Sequence, residues 1–152
     1  MLSAYRVESV MRLETLISAF PPRVLTGRAL HLLQPISFWG GVSASNAELT
    51  DPRSVHVGTS IAGRVLFIRQ LRGSSSASSV LLELAYQKIA PTAIVLAAPD
   101  AILALGALVA AEMQWSTPGM FRCDALEQSE VPDNALVSIF EDGSLTIEAS
   151  AQ

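Results

Sequence analysis

The sequence predicts an α/β fold with additional β structure, and three observations carry that expectation. Two short apolar runs, "RVLFI" (Arg64 to Ile68) and "AIVLA" (Ala93 to Ala97), have the length and composition of strands buried on both faces. Each is followed by a stretch of helical character, so the middle of the chain reads strand, loop, helix, strand, helix, an order that implies parallel strands joined by right-handed crossovers. Alternating segments at both ends, "RVLTGRALHLL" and "NALVSIFEDGSLTIEA", supply the remaining strands.

Taken in order, the first twenty residues place Val7, Val10, Met11 and Ile17 among charges, a weakly amphipathic pattern that predicts a helix ended by Pro21 and Pro22. Residues 1–22 thus read as a helical N-terminal extension, and residues 23–152 as the domain proper. "RVLTGRALHLL" follows as a strand with Gly27 as a candidate bulge. "FWGGVSASNAELTDPRS" is loop chemistry, with paired glycines and an Asp-Pro step. After strand Arg64–Ile68 comes "LRGSSSASS", then a helix from about Ala77 whose Val80, Leu81, Leu84 and Ala85 share one face. Past "AIVLA", "DAILALGALVAAEM" starts with Asp100 at an N-cap position and is rich in good helix formers. Asp142-Gly143 between the last two alternating runs signals a closing hairpin.

Composition narrows the function classes. With 152 residues, half of them hydrophobic and 16% charged, the chain can bury a core and is not a disordered segment. A net charge of -4 and the lack of any basic run argue against a nucleic-acid surface. The single cysteine, Cys123, can form neither an internal disulfide nor a self-contained metal site, so no metal or cofactor is expected on this chain. The apolar stretch from Ala93 to Met113 is split by Pro99 and Asp100, and charges interrupt the N-terminal pattern. The protein therefore reads as soluble and cytoplasmic.

The chemistry concentrates in "RGSSS", Arg72 to Ser76, at the carboxyl end of a buried strand and the start of a helix. The first N–H groups of a helix lack internal partners and the dipole adds positive potential there, which suits phosphate, carboxylate or an oxyanion. Gly73 admits close backbone approach, and Arg72 adds a permanent forked cation. A serine hydroxyl in this place either caps the helix or transfers a proton. Composition alone favours the cap. His31, in a strand, and His56, in a loop, have no partner at metal-ligand spacing and read as structural or solvated. Asp51 and Arg53 read as a turn, and Asp100 as a cap. Phe38 and Trp39 sit beside two glycines, a poor place for core aromatics, so at least one is expected at a rim or a subunit interface. No complete catalytic set assembles from these residues, so that if this chain takes part in catalysis, most of the chemistry lies on another polypeptide.

"PISFWGGVSASNAELTDPRS", "SIAGRVLFI", "RGSSSASSVLLEL", "APTAIVLAAPDAILALGALVAAE" and the closing hairpin, in this order, resemble the small subunit of the aconitase X hydro-lyases over about residues 23 to 148. The resemblance implies a swivelling β/β/α domain that packs over a larger subunit carrying an iron–sulfur cluster. It also implies a catalytic serine base, which falls on Ser74, with Arg72, Gly73, Ser75 and Ser76 shaping the substrate pocket. Departures are visible: Gln70-Leu71 stand where relatives often have two glycines, Ser54-Val55 where they tend to have His-Pro, and Ser76 where aconitase has an arginine. The implied reaction is dehydration of a small hydroxy acid, either cis-3-hydroxy-L-proline or mevalonate 5-phosphate. Nine Arg beside one Lys, Lys88, tilts the expectation towards a high-GC bacterial source and so towards hydroxyproline. A non-catalytic anion-binding or interaction module on the same fold is the further alternative.

Overall fold

The computed structural model describes residues 8–148. Its strands are β1 (Glu8–Arg12), β2 (Glu14–Ile17), β3 (Leu25–Leu32), β4 (Val65–Ile68), β5 (Ala93–Leu96), β6 (Gly119–Arg122), β7 (Leu136–Ile139) and β8 (Ser144–Ile147). Its helices are α1 (Phe38–Gly41), α2 (Ala77–Tyr86), α3 (Ala101–Glu112) and α4 (Ala125–Gln128). All eight strands form one sheet in the order β1-β8-β7-β3-β4-β5-β6-β2. The four central strands, β3 to β6, are parallel, and the others add antiparallel to either side. Because β1 and β2 occupy opposite ends of this order yet only Leu13 separates them in sequence, the sheet has to curl until its edges nearly meet. Leu13 N–H, bonded to Gly143 O at 2.8 Å, sits at that closure.

This closure corrects the expected N-terminal helix, since residues 8 to 17 form two strands instead. Met11 and Leu13 turn towards the enclosed core, a period of two hidden in a pattern that also suits a helix. Pairing β1 with β8 and β2 with β6 satisfies two sheet edges that would otherwise expose their N–H and C=O groups. That tertiary gain overrides weak helical propensity. Residues 1–7 of the expected helix lie outside the described residues.

Strand alternation splits the interior in two. Val65, Phe67, Ala93 and Val95 face the enclosed core with Val137, Ile139 and Leu145. Leu66, Ile68, Ile94 and Leu96 face α2 and α3, against Val80, Leu81, Leu84, Leu103 and Ala107. β4 and β5 are buried on both faces, which is why they read as unbroken apolar runs. The expected bulge at Gly27 is absent: its pairing with β7 is regular. This glycine is there because a Cβ would stand 2.5 Å from Gly63 O. Gly106 plays a similar part between helices, where a Cβ would meet Ser78 O at 2.9 Å. The closing hairpin forms as expected around Asp142, whose carboxylate accepts from Ser144 N–H at 2.9 Å. β6 and α4 were not legible in the sequence.

Candidate functional site

Parallel strands bring all their carboxyl ends to one edge of the sheet, where ligands gather in open α/β folds. Here that edge holds the connections after β3, β4 and β5. The connection after β4, residues 69–76, is tied to the one after β3 by Arg72 N–H to Ile36 O (2.8 Å) and Ile36 N–H to Gln70 O (3.1 Å). Thr50 in turn fastens the Asp51 loop to the paired glycines, through N–H to Gly41 O (3.0 Å) and Oγ1–H to Gly40 O (2.9 Å). Fully buried Gln128 donates to Ile68 O and Cys123 O, both at 3.1 Å, and so cross-links the ends of β4 and β6.

These ties gather the sequence motifs around one shallow pocket of about 310 Å³, lined by Trp39, Gly40, Asp51, Arg53 and Arg72. Phe38 is core and Trp39 is 60% exposed, so of this aromatic pair it is Trp39 that stands at the rim. Asp51 does form the expected turn, accepting from Arg53 N–H at 3.0 Å, and it also holds the Arg53 guanidinium with both oxygens at 3.0 and 2.9 Å. Those bonds, aided by the nearby charge of Arg72, hold the Asp51 carboxyl below the usual carboxylate range.

Ser74 is half-buried where the connection enters α2. Its Oγ accepts from Ser76 N–H at a long 3.3 Å and donates to no group among the described residues. Ser76 holds the N-cap position but makes no side-chain capping bond. The Ser74 hydroxyl proton is therefore uncommitted, beside the N-terminal dipole of a ten-residue helix. Beside it, Gly73 and Ser75 are exposed and Ser76 half-buried. A neighbouring crevice of about 150 Å³ lies between the ends of β4 and β5, against Arg69, Gln70, Ala97, Pro99 and Asp100. Asp100 is committed to capping, accepting from Leu103 N–H at 2.8 Å.

Both histidines converge on Asp133 in the connection before β7. His31 is buried, stacked on Phe67 with centroids 4.7 Å apart, and bonded through Nε2 to Val131 O at 2.7 Å. Burial pushes its pKa down and so favours the neutral ring. Asp133 accepts from the main-chain N–H of His31 at 3.0 Å and lies 3.8 Å from His56 Nε2. Among the described residues no three His, Cys, Asp or Glu side chains are grouped to hold a metal. Burial, reinforced by Glu127, pushes the Cys123 thiol up to about 12, so the free thiol is unreactive. A single cysteine cannot supply the several thiolates that hold an iron–sulfur cluster, so the donor set of the described residues does not fit one. A larger groove between α2 and α3 is lined mainly by Leu82, Tyr86, Val109, Met113 and Trp115, and its one carboxylate, Glu83, is engaged by Gln87 at 2.9 Å.

Residues 17–148 match the family described as the aconitase X swivel domain. The chain is 48% identical over 88 residues to a cis-3-hydroxy-L-proline dehydratase of Pseudomonas aeruginosa, a match spanning 58% of this chain and 15% of that protein. It is 36% identical over 87 residues to the phosphomevalonate dehydratase small subunit of Pyrococcus furiosus, spanning 57% and 65%. The fold superposes on the aconitase X of Thermococcus kodakaraensis with a TM-score of 0.75 at 24% identity, covering 94% of this chain and 98% of that one. With a swivel-domain match over nearly its whole length, this chain belongs to the aconitase X family.

Proposed function

We propose that this chain is the small, swivelling subunit of an aconitase X-type dehydratase, closing over a large iron–sulfur subunit and supplying Ser74 as the general base. The observation that carries this reading is the uncommitted Ser74 hydroxyl at the entrance to α2, within the connection that also presents Arg72. In the reaction, Ser74 Oγ as the alkoxide takes the proton from the carbon next to the carboxylate and becomes the hydroxyl, and the electrons of that C–H bond form the new double bond. The C–O bond of the neighbouring carbon breaks with its electron pair, and hydroxide departs on the side of the large subunit. The positive end of α2 and the charge of Arg72 favour the alkoxide form of Ser74 and the anionic substrate. Gly73, Ser75 and Ser76 complete the pocket wall. The cluster is a matter for the large subunit, since no residue described in this chain is suited to hold it.

The substrate we assign is cis-3-hydroxy-L-proline, on the strength of the Pseudomonas relative. Mevalonate 5-phosphate is the second reading, favoured by the name of the Pyrococcus relative and by an arginine at a helix N-terminus suited to phosphate. No helix among the described residues is long and apolar enough to cross a membrane, and we assign the complex to the cytoplasm. The test is turnover of both acids by the two-subunit complex with Ser74 or Ala at this position. Loss of dehydration on Ser74→Ala supports the base, and the acid consumed by the wild-type complex identifies the substrate. Binding without turnover of either would leave an anion-binding module.

A further inference from the structure

The arginines of the described residues divide in a way that the base and pocket assignments leave unexplained. Arg12, Arg53 and Arg122 pair with Asp142, Asp51 and Glu14. Arg23, Arg28 and Arg64 donate to backbone carbonyls, as in Arg64 to Arg28 O and Ala29 O at 3.1 Å each. Only Arg69 and Arg72 have a guanidinium with neither a carboxylate nor a hydrogen-bond acceptor among these residues, and both lie on the connection that leads to Ser74.

Arg69 is the more unusual of the two. Its Nε is shut off from solvent and has no partner among the described residues. A buried, unpaired donor on a charged group is costly, and so is rarely left without a use. Residue parity explains where the side chain stands: Val65 and Phe67 face the enclosed core, so Arg69 continues that row beyond Phe67, at the carboxyl end of β4. Its charge is felt at His31, which stacks on Phe67. Arg69 also borders the crevice between the ends of β4 and β5, in which Asp100 is already engaged by α3. A forked cation held half-buried and unpaired at the mouth of a polar crevice is matched to a planar carboxylate.

We propose that Arg69 is a substrate-binding residue of this site, its guanidinium receiving the carboxylate of the hydroxy acid from which Ser74 takes a proton. This rests on the dehydratase reading above. It predicts that Arg69 contributes to binding more than to the chemical step. In the two-subunit complex, Arg69→Gln is expected to raise KM for the hydroxy acid by about 10–100-fold, the scale of one charge-assisted bidentate bond, with kcat within a few-fold of wild type. Arg69→Lys keeps the charge without the fork and should fall between the two. Added guanidinium ion should recover part of the loss in Arg69→Ala. Arg64→Lys, which alters a guanidinium bound to carbonyls, should move melting temperature and leave KM alone.

An unchanged KM in Arg69→Gln, with Ser74→Ala inactive, would overturn the role of Arg69 while the dehydratase reading stands. Normal turnover in Ser74→Ala would instead remove the base assignment whatever Arg69 does. If Arg69→Gln does not assemble, Arg69→Lys decides: wild-type KM in that variant excludes bidentate carboxylate binding.

Discussion

Gly106→Ala probes the packing that positions the serine connection. In an exposed helix interior, Gly to Ala stabilises by about 1 kcal/mol, because alanine restricts the unfolded chain. In α3 the new Cβ would stand 2.9 Å from Ser78 O, 3.1 Å from Ser78 Cα and 3.3 Å from Ser78 Cβ. Two of these atoms are backbone, so no rotamer change relieves the contact, and α2 must move off α3 by a few tenths of an ångström. Overpacking of this kind costs about 1–3 kcal/mol, which exceeds the propensity gain over most of that range. The expected net is a loss of about 1 kcal/mol, or about 2–4 °C in melting temperature for a domain of this size. Ser78 lies in the first turn of α2, four residues after Ser74, so the displacement reaches the candidate base, and turnover in the complex should fall with it. Thermal and urea unfolding of the isolated chain measures the first effect, and kcat in the complex the second. A rise in stability by the ordinary helical increment, with unchanged kcat, would refute the tight α2–α3 contact as the support of the site.

Two further outcomes follow from the same structure. Burial lowers the folded-state pKa of His31 below the unfolded value of about 6.5. Between these two values the unfolded chain binds more protons, so stability is full above about pH 6.5 and is lost as pH falls towards the folded pKa. Urea midpoints at pH 5–8 should show this slope, and His31→Gln should flatten it; an unaltered slope assigns it to other groups. Trp39, 60% exposed, should be quenched readily by acrylamide in a Trp115→Phe background of the free chain. Shielding of Trp39 when the large subunit is added marks it as interface, and equal quenching in both states removes it from that role.

Much of this architecture was legible in the sequence wherever one local signal had one structural meaning. β4 and β5 could be read because strands buried on both faces leave unbroken apolar runs, and α3 because Asp100 caps a stretch of Ala and Leu. The N-terminal strands could not, since Met11 and Leu13 serve a sheet closure created by β6 and β8, more than a hundred residues away. β6 is four residues with no period to detect. In the candidate site, "RGSSS" is conspicuous in sequence, and Trp39 is betrayed by its glycine neighbours. Arg69, which we propose as a site residue, does not stand out in the sequence, because what sets it apart is a guanidinium without a partner among the described residues, a property of the folded chain. Its one sequence trace is a charge placed directly after a fully apolar strand.

The most direct test of the catalytic assignment is Ser74→Ala in the two-subunit complex, with kcat and melting temperature measured on the same samples. Removing a general base lowers the rate by about 10²–10⁴, whereas removing a helix-capping hydroxyl costs about 1 kcal/mol of stability. Because Ser74 Oγ makes a single long bond among the described residues, to Ser76 N–H at 3.3 Å, the expected change in melting temperature is small. Ser75→Ala and Ser76→Ala, in the same connection, should lose far less rate. A hundredfold or greater fall in kcat at nearly unchanged melting temperature is the expected result. Near-normal turnover with a destabilised chain would contradict it and return Ser74 to the role of a cap.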